Sequence, residues 1–391
     1  MGPLNGVRII EIAHIGPVPH AGMLFADMGA EVLRIERAGP TDLGLRRPIR
    51  FDVHLRGQQA IALDLKLAAH VELLLQLVEG ADALIEGFRP GVAERLGWGP
   101  DVARARNPRL VYGRVTGWGR DGPLADAAGH DLNYLALTGA LAAIGRAGAP
   151  PTPPLNLVAD YAGGSMFLAW GVLCALFESK GSGTGQVVDA SMIDGVASLM
   201  TNFQAARQAG LMNAPRGYNL LDSGAFYYDV YMCADGRYIS VACIEERFFD
   251  ELLAKLGLHK QDFGDRAASG WESGRQLLAN RFLQKTRAEW ERVFERGNAC
   301  VAPVLDIEEA PRHSHHASRG TFIELEGVVQ AAPSPRFSRS MPGVPAAPQR
   351  PTPETVDAIL RSWLPEQRAI AAMNILAPME PSEPVAVARD T

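Results

Sequence analysis

The sequence predicts an α/β fold with a parallel sheet, followed by a smaller α+β domain. Two observations carry this. Short apolar, β-branched stretches alternate with helical patterns through the first half of the chain. After residue 225 the texture changes to aromatic, β-branched stretches around a tight-turn signal. Residues 7–13 (VRIIEIA) read as a buried strand. A Gly/Pro loop and a helix near His20–Met28 follow, Gly29 stops that helix, and 31–36 (EVLRIE) read as a second strand. Such a strand–helix–strand unit implies parallel pairing with a right-handed crossover. The theme recurs as strand 60–63, helix 68–78, strand 83–85, helix 91–96 and strand 109–115. Residues 161–179 form a strongly apolar helix, and 185–200 a strand entering another buried helix. Ala234-Asp235-Gly236 marks a hairpin within 225–243, and helices follow at 246–256, 273–284 and 287–295. The Pro-rich stretch 331–353 reads as a connector and 354–363 as a short helix. The chain thus divides into a large α/β part (1–205), a linker (206–224), a small α+β domain (225–325) and a returning segment (326–375). The tail from about 376 has the composition of a disordered segment.

Composition bounds the function. The 391 residues are 47% apolar and 21% charged, enough to bury the cores of two or three domains. A net charge of −6 and a pI near 5.9 argue against a broad nucleic-acid surface. Only Lys66, Lys180, Lys255, Lys260 and Lys285 are lysines, so a lone arginine carries little weight here and Lys66 somewhat more. Cys174, Cys233, Cys243 and Cys300 show no CxxC spacing, which supports neither a disulfide scaffold nor a zinc ribbon. The N-terminus has no basic leader, and its apolar run is broken by Pro and polar residues, unlike a signal peptide. The longest apolar run, Met166 to Phe177, is too short to span a bilayer. A cytoplasmic enzyme or binding protein is expected.

Gly117–Gly122 (GWGRDG) matches G-x-G-x-x-G after a strand, but Pro123 and a polar loop stand where a dinucleotide site needs a helix. A strand-end turn is the better reading. RHSHHAS (312–318) has three histidines without an acidic or Cys partner at ligand spacing, and reads as a solvated loop. In GHDLNY, His130 sits in a loop; taken alone, a structural histidine is the more common case. Asp160 in NLVADYAGG stands directly before the apolar helix, where aspartate commonly serves as an N-cap. The N–H groups at such a helix start also suit a developing oxyanion. Glu245 in CIEERFF follows a strand, at a helix start.

Together these segments resemble the family III CoA-transferase (CaiB/BaiF) superfamily, and within it the racemase branch. The matching stretches run in order over about residues 4–345: HAGMLFADMGAEVLRIER, ALDLK, EGFRPGVAERLG, GHDLNYLALTGAL, IGRAGAPPTPPLNLVADYAGGS, GQVVDASMIDG, NLLDSGAFYYDVY, IEERFF and SRGTF. The pair GHDLNY and PPLNLVADYAGGS is the most specific. The resemblance implies a large Rossmann-like α/β domain and a smaller α+β domain in an interlocked homodimer. Glu245 of one chain would complete a site whose His130 and Asp160 belong to the other. The resemblance carries CoA contacts to Arg37, Leu65, Lys66, Arg89, Gly129 and Tyr134; a guanidinium stacks on adenine, and Arg or Lys pairs with phosphate. Relatives usually have a basic residue after the glycine of LRGQQAIALDLK, where this chain has Gln58 and Gln59; Arg56 is the nearest substitute.

The implied reaction interconverts (2R)- and (2S)-2-methylacyl-CoA thioesters through an enolate. The thioester acidifies the α-proton, so no metal or redox cofactor is required; CoA is part of the substrate. One base is needed on each face of the α-carbon, and a histidine with a carboxyl raised by burial serves that purpose. Backbone N–H groups at the Asp160 helix start are the expected enolate donors. The nearest rival is a CoA-transferase using Asp160 as nucleophile. Such enzymes typically lack the histidine and carry a glycine-rich flap, and this chain has His130 and no glycine run between 225 and 325. A non-catalytic acyl-CoA-binding protein is the third reading.

Overall fold

A computed structural model of the chain describes residues 1–39, 47–263 and 266–376. The tail expected from about 376 lies beyond Leu376, outside the described residues. The first compact unit comprises residues 1–134, 156–196 and 320 onward, and the second residues 135–155 and 197–319.

The first unit is built on six parallel strands: β1 (Arg8–Ile12), β2 (Glu31–Arg37), β3 (Gln59–Leu63), β4 (Ala83–Glu86), β5 (Val111–Thr116) and β6 (Val187–Ser191). Their order is β3-β2-β1-β4-β5-β6. The central strands β1, β4 and β5 are short runs buried on both faces, as central parallel strands must be. One face buries Ile10, Leu33, Ile61 and Leu84 against Leu73 and Leu77 of helix Ala68–Val78. Leu360 and Trp363 of helix Pro353–Trp363, with Ala369 and Ala372 of helix Glu366–Leu376, close onto the same core. The helix read at His20–Met28 is α1 (Pro17–Asp27). Its Pro17 and Pro19 are tolerated because first-turn N–H groups have no intrahelical acceptor.

The second unit carries the antiparallel sheet β7 (Tyr228–Met232), β8 (Tyr238–Ala242) and β9 (Val301–Pro303). The β7–β8 turn is the expected one, with Gly236 at φ +73°. Helices Glu246–Leu256, Trp271–Phe282 and Arg287–Phe294 bury an aromatic cluster with Phe226, Phe249, Phe282 and Trp290.

The unit boundaries depart from those read in the sequence. Residues 135–155 pack with the second unit, where Arg146 pairs with the buried Asp229 and Arg216 donates to the carbonyls of Ala142 and Ala149. Residues 197–205 join them as the end of helix Met192–Leu199 and most of helix Thr201–Gln208. The stretch 206–224, read as a linker, is tied down at Asp222, which accepts from the N–H groups of Gly217 and Asn219. The hairpin of β10 (Phe322–Leu325) and β11 (Val328–Ala331) belongs to the first unit, so residues 320–325, read as the end of the small domain, go with the segment 326–375 that returns to the first unit. The buried Arg56 anchors it, donating to Gln330 Oε1 at 2.8 Å and to the Ala331 carbonyl at 2.7 Å. The histidine-rich stretch is not a loop throughout: Ser314–Arg319 is helical, and His313 Nε2 lies 2.9 Å from Glu291 Oε1.

Candidate active site

Strand order reverses between β1 and β4, which opens a crevice at the carboxyl ends of the sheet. In dinucleotide-binding folds the first helix presents N–H groups there to a pyrophosphate. Here Pro17 and Pro19 remove two of those donors, and a carboxylate stands in front of the helix instead. A Cβ on Gly16 would lie 3.1 Å from Asp160 Oδ2. Gly16, at φ +69°, therefore serves both the turn into α1 and the approach of Asp160.

Asp160 is not the N-cap of a simple α-helix. Residues Leu157–Ser165 form a π-helical segment with Asn156 at its N-cap, and this continues into helix Met166–Ser182. Such wide turns are rare and concentrate at functional sites. Three contacts fix this one. The Ser165 hydroxyl donates to the Pro17 carbonyl at 2.9 Å, tying the segment to α1. Gly163 and Gly164 leave no room for a Cβ, since Val196 and Met192 press on the first and Pro17 on the second. Asp131 Oδ2 accepts the N–H groups of both Ala159 and Asp160 at 2.8 Å. These are the donors expected to serve an enolate, and Asp131 already occupies them.

The motif GHDLNY is explained residue by residue. His130 precedes helix Asp131–Leu137, and its N–H donates to Asn133 Oδ1 at 3.1 Å while its carbonyl accepts the Asn133 N–H at 2.8 Å. The imidazole is exposed. The Tyr134 ring is buried edge-on to Trp118, with centroids 4.7 Å apart, and its hydroxyl donates to the Gly129 carbonyl. A Cβ on Gly129 would lie 2.7 Å from that ring, and one on Gly117 would fall inside it. The first glycine of GWGRDG is therefore a seat for Tyr134. Residues 117–122 form bends followed by a turn at 123–126, and no helix opens at Gly122.

Asp160 and His130 are thus set by two segments that Asp131 joins. Burial raises the Asp160 carboxyl above the usual carboxylate range, and the Asp131 charge adds to this; the Asn156 amide, donating at 3.1 Å, and His130 pull it back. Burial also raises the Tyr134 phenol, with Asp160 raising it further and Arg89 opposing. Asp160, His130, Tyr134 and Arg89 therefore share one electrostatic neighbourhood. No hydrogen bond joins the His130 and Asp160 side chains among the described residues.

Arg37, Leu65, Lys66 and Arg89 follow or end β2, β3 and β4. Parallel strands place all four at the same edge of the sheet as Asp160. Arg37, Lys66 and Arg89 are exposed, and Leu65 packs on the core. Glu245 lies in the second unit, exposed, at the N-cap of helix Glu246–Leu256, with no side-chain bond to that helix. Arg56 does not substitute for the missing basic residue at the crevice. It is 2% exposed and pairs with Asp27 through bonds of 2.6 and 3.0 Å. Sequence reasoning missed Asp131, Asn133, Asn156 and Ser165. The His130-x-x-Asn133 and Asn156-x-x-x-Asp160 spacings were local signals, whereas the contacts of Asp131 with residues 159–160 and of Ser165 with Pro17 join distant segments. Among the described residues no group of His, Cys, Asp and Glu is arranged to hold a metal ion.

Residues 4–357 match the model of CoA-transferase family III. A Mus musculus protein named alpha-methylacyl-CoA racemase is 42% identical over 351 residues, covering 89% of this chain and 90% of its own. A Homo sapiens protein of the same name is 40% identical over 348 residues, covering 88% of each. The crystal structure of a CAIB/BAIF family protein from Brucella suis superposes with a TM-score of 0.78 at 24% identity, covering 92% of this chain and 99% of that one.

Proposed function

The chain belongs to CoA-transferase family III, and from that premise we propose that it racemises 2-methylacyl-CoA thioesters by 1,1-proton transfer. The observation that carries this reading is His130 lying within electrostatic reach of a partly buried Asp160 whose carboxyl is raised, in a chain 40–42% identical to proteins named for this reaction. In the proposed cycle one group removes the α-proton from one face, leaving a planar enolate, and the other returns a proton to the opposite face. Burial favours the protonated Asp160 needed in one direction, and the exposed His130 imidazole is the second proton carrier of the scheme. The thioester supplies the acidity, so the scheme requires no cofactor. Arg37, Lys66 and Arg89 are the proposed phosphate and adenine contacts, and Glu245 of one chain completes the site of the other.

A dimer suits the outer surface of helix Met166–Ser182. Met166, Trp170, Leu173 and Phe177 recur at helical spacing, and Trp170 and Phe177 are 65% and 83% exposed. A stripe of that size on a long helix is what a second copy would cover.

The deciding experiment incubates a single enantiomer of a 2-methylacyl-CoA in deuterated solvent without a second acid. Deuterium at the α-carbon with loss of optical purity is expected. Absence of exchange, with CoA passing instead to an added carboxylic acid, would establish the transferase reading with Asp160 as nucleophile.

Gly117→Ala is expected to slow the exchange roughly 100-fold, the cost of a displacement of about 1 Å in a catalytic group. The new methyl unseats Tyr134 and so the Gly129 carbonyl beside His130. Tyr134→Phe, which keeps the ring in place, should cost far less. Equal rates in the two variants would show that the seat does not matter.

A further inference from the structure

A buried ionic cluster lies at the carboxyl ends of β4 and β5, outside the proton-transfer scheme. Glu86 and Arg114 are register partners across the two strands, with side chains 0% and 1% exposed. Arg114 Nε donates to Glu86 Oε1 at 3.0 Å. The other Glu86 oxygen accepts the Phe88 N–H at 2.5 Å. Arg114 Nη1 donates to Glu94 Oε1 at 3.0 Å, and Arg120 Nη2 donates to the same oxygen at 3.2 Å. Glu94 lies in the helical turn Val92–Arg95, which starts after Gly91 at φ +77°. A single buried guanidinium therefore holds both ends of the loop 87–91. Arg89, the exposed residue at the middle of that loop, lies within electrostatic reach of Tyr134.

Burying a guanidinium against a buried carboxylate is a poor way to gain stability, because apolar residues of similar volume often do as well or better. Its benefit is geometric: three charge-assisted hydrogen bonds fix the loop on both sides. We propose that Arg114, acting through Glu86 and Glu94, is a positioning residue that presents Arg89 to the anionic phosphates of a CoA thioester. The inference rests on the reading of acyl-CoA as the substrate. The bond from Arg120 to Glu94 extends the clamp to the turn 117–122, whose Trp118 packs on Tyr134. The loop that meets the phosphates and the loop that precedes His130 thereby share one carboxylate.

The test compares a 2-methylacyl-CoA with the matching acyl-N-acetylcysteamine thioester, which lacks phosphates. The Glu94 side chain is 37% exposed, so Glu94→Ala removes it at modest cost to the fold. KM for the CoA thioester, and the Kd of CoA by calorimetry, should rise about tenfold, the scale of one charged hydrogen bond. The kcat should stay within about twofold, and KM for the truncated thioester should not change. Glu94→Gln, which keeps an acceptor for Arg114, should recover most of the affinity. Arg89→Ala should reproduce the loss, and the double variant should be no worse than Arg89→Ala alone, because both act through one contact. Equal losses for both thioesters, additive effects, or an unchanged Kd in Glu94→Ala would overturn the proposal. Should the protein exchange no α-proton at all, the calorimetric Kd still decides. A weakened Kd in Glu94→Ala then sustains the clamp while the racemase reading fails.

Discussion

Replacing Asp160 by alanine removes α-proton exchange from 2-methylacyl-CoA thioesters while the thioester still binds. The expected loss in kcat is about 10²–10⁴-fold, the range for deleting a positioned acid–base group. Asp160 contributes no backbone anchor through its carboxylate. Among the described residues that carboxylate takes one hydrogen bond, from Asn156, while the segment is held by the Asp131 cap and by Ser165. The variant should therefore fold, with a CoA affinity close to that of the parent. Asp160→Asn keeps the shape and the Asn156 neighbour yet cannot shuttle a proton, and should be as slow as the alanine variant. Exchange that survives in both would remove Asp160 from its proposed role. The same variant tests the proposal that two chains share each site. Neither Asp160→Ala nor Glu245→Ala alone should be active, but in mixed dimers one of the two sites regains a full set of side chains. Partial recovery on mixing, up to about one quarter of parental activity for random pairing, is expected. Independent sites would give none.

The second large effect concerns stability. Glu11 on β1 is fully buried and faces α1 at Gly22, where a Cβ would fall on the carboxyl group. Neither Glu11 oxygen has a hydrogen-bond donor among the described residues, and Gln58 Oε1 beside it is likewise unpartnered. Burial pushes the Glu11 carboxyl up to about 8, against the pull of Arg34 and of the neighbouring Gln58 amide, which donates to the His54 carbonyl instead. At neutral pH the folded chain holds this proton and the unfolded chain has released it. Stability from this group is therefore greatest below the ordinary carboxylate pKa, falls as pH rises to about 8, and then levels off. Glu11→Gln removes that slope. Its melting temperature should exceed the parent's by a margin that widens between pH 5 and 8, where each pKa unit is worth about 1.4 kcal/mol. Gln58→Lys, which places a cation beside the carboxyl, should flatten the slope by ionising Glu11 in place. His20 acts in the opposite sense: burial lowers it to about 4, so its contribution is lost on acidification. The quantity to read is thus the difference between variant and parent. Parallel melting curves across that range would show that Glu11 is ionised in the folded chain.

The parallel sheet and the hairpin were legible because each strand announces itself locally. A run such as VRIIEIA is buried on both faces wherever it goes, and Ala234-Asp235-Gly236 turns the chain whatever surrounds it. The motifs around His130 and Asp160 marked the candidate site differently, through their resemblance to a family. What they do there depends on pairs that local pattern does not encode. Asp131 caps a segment 28 and 29 positions away, and that bond took the N–H groups expected for the enolate. Arg56 looked free for phosphate until Asp27 and the hairpin at 322–331 enclosed it. Residues 135–155 looked like the first unit because nothing near Arg146 foretells Asp229, 83 positions on. Sequence periodicity reports which residues leave water. Which buried charges then meet is fixed by the order of the strands and the loops at their ends, and that order exists only in the folded chain.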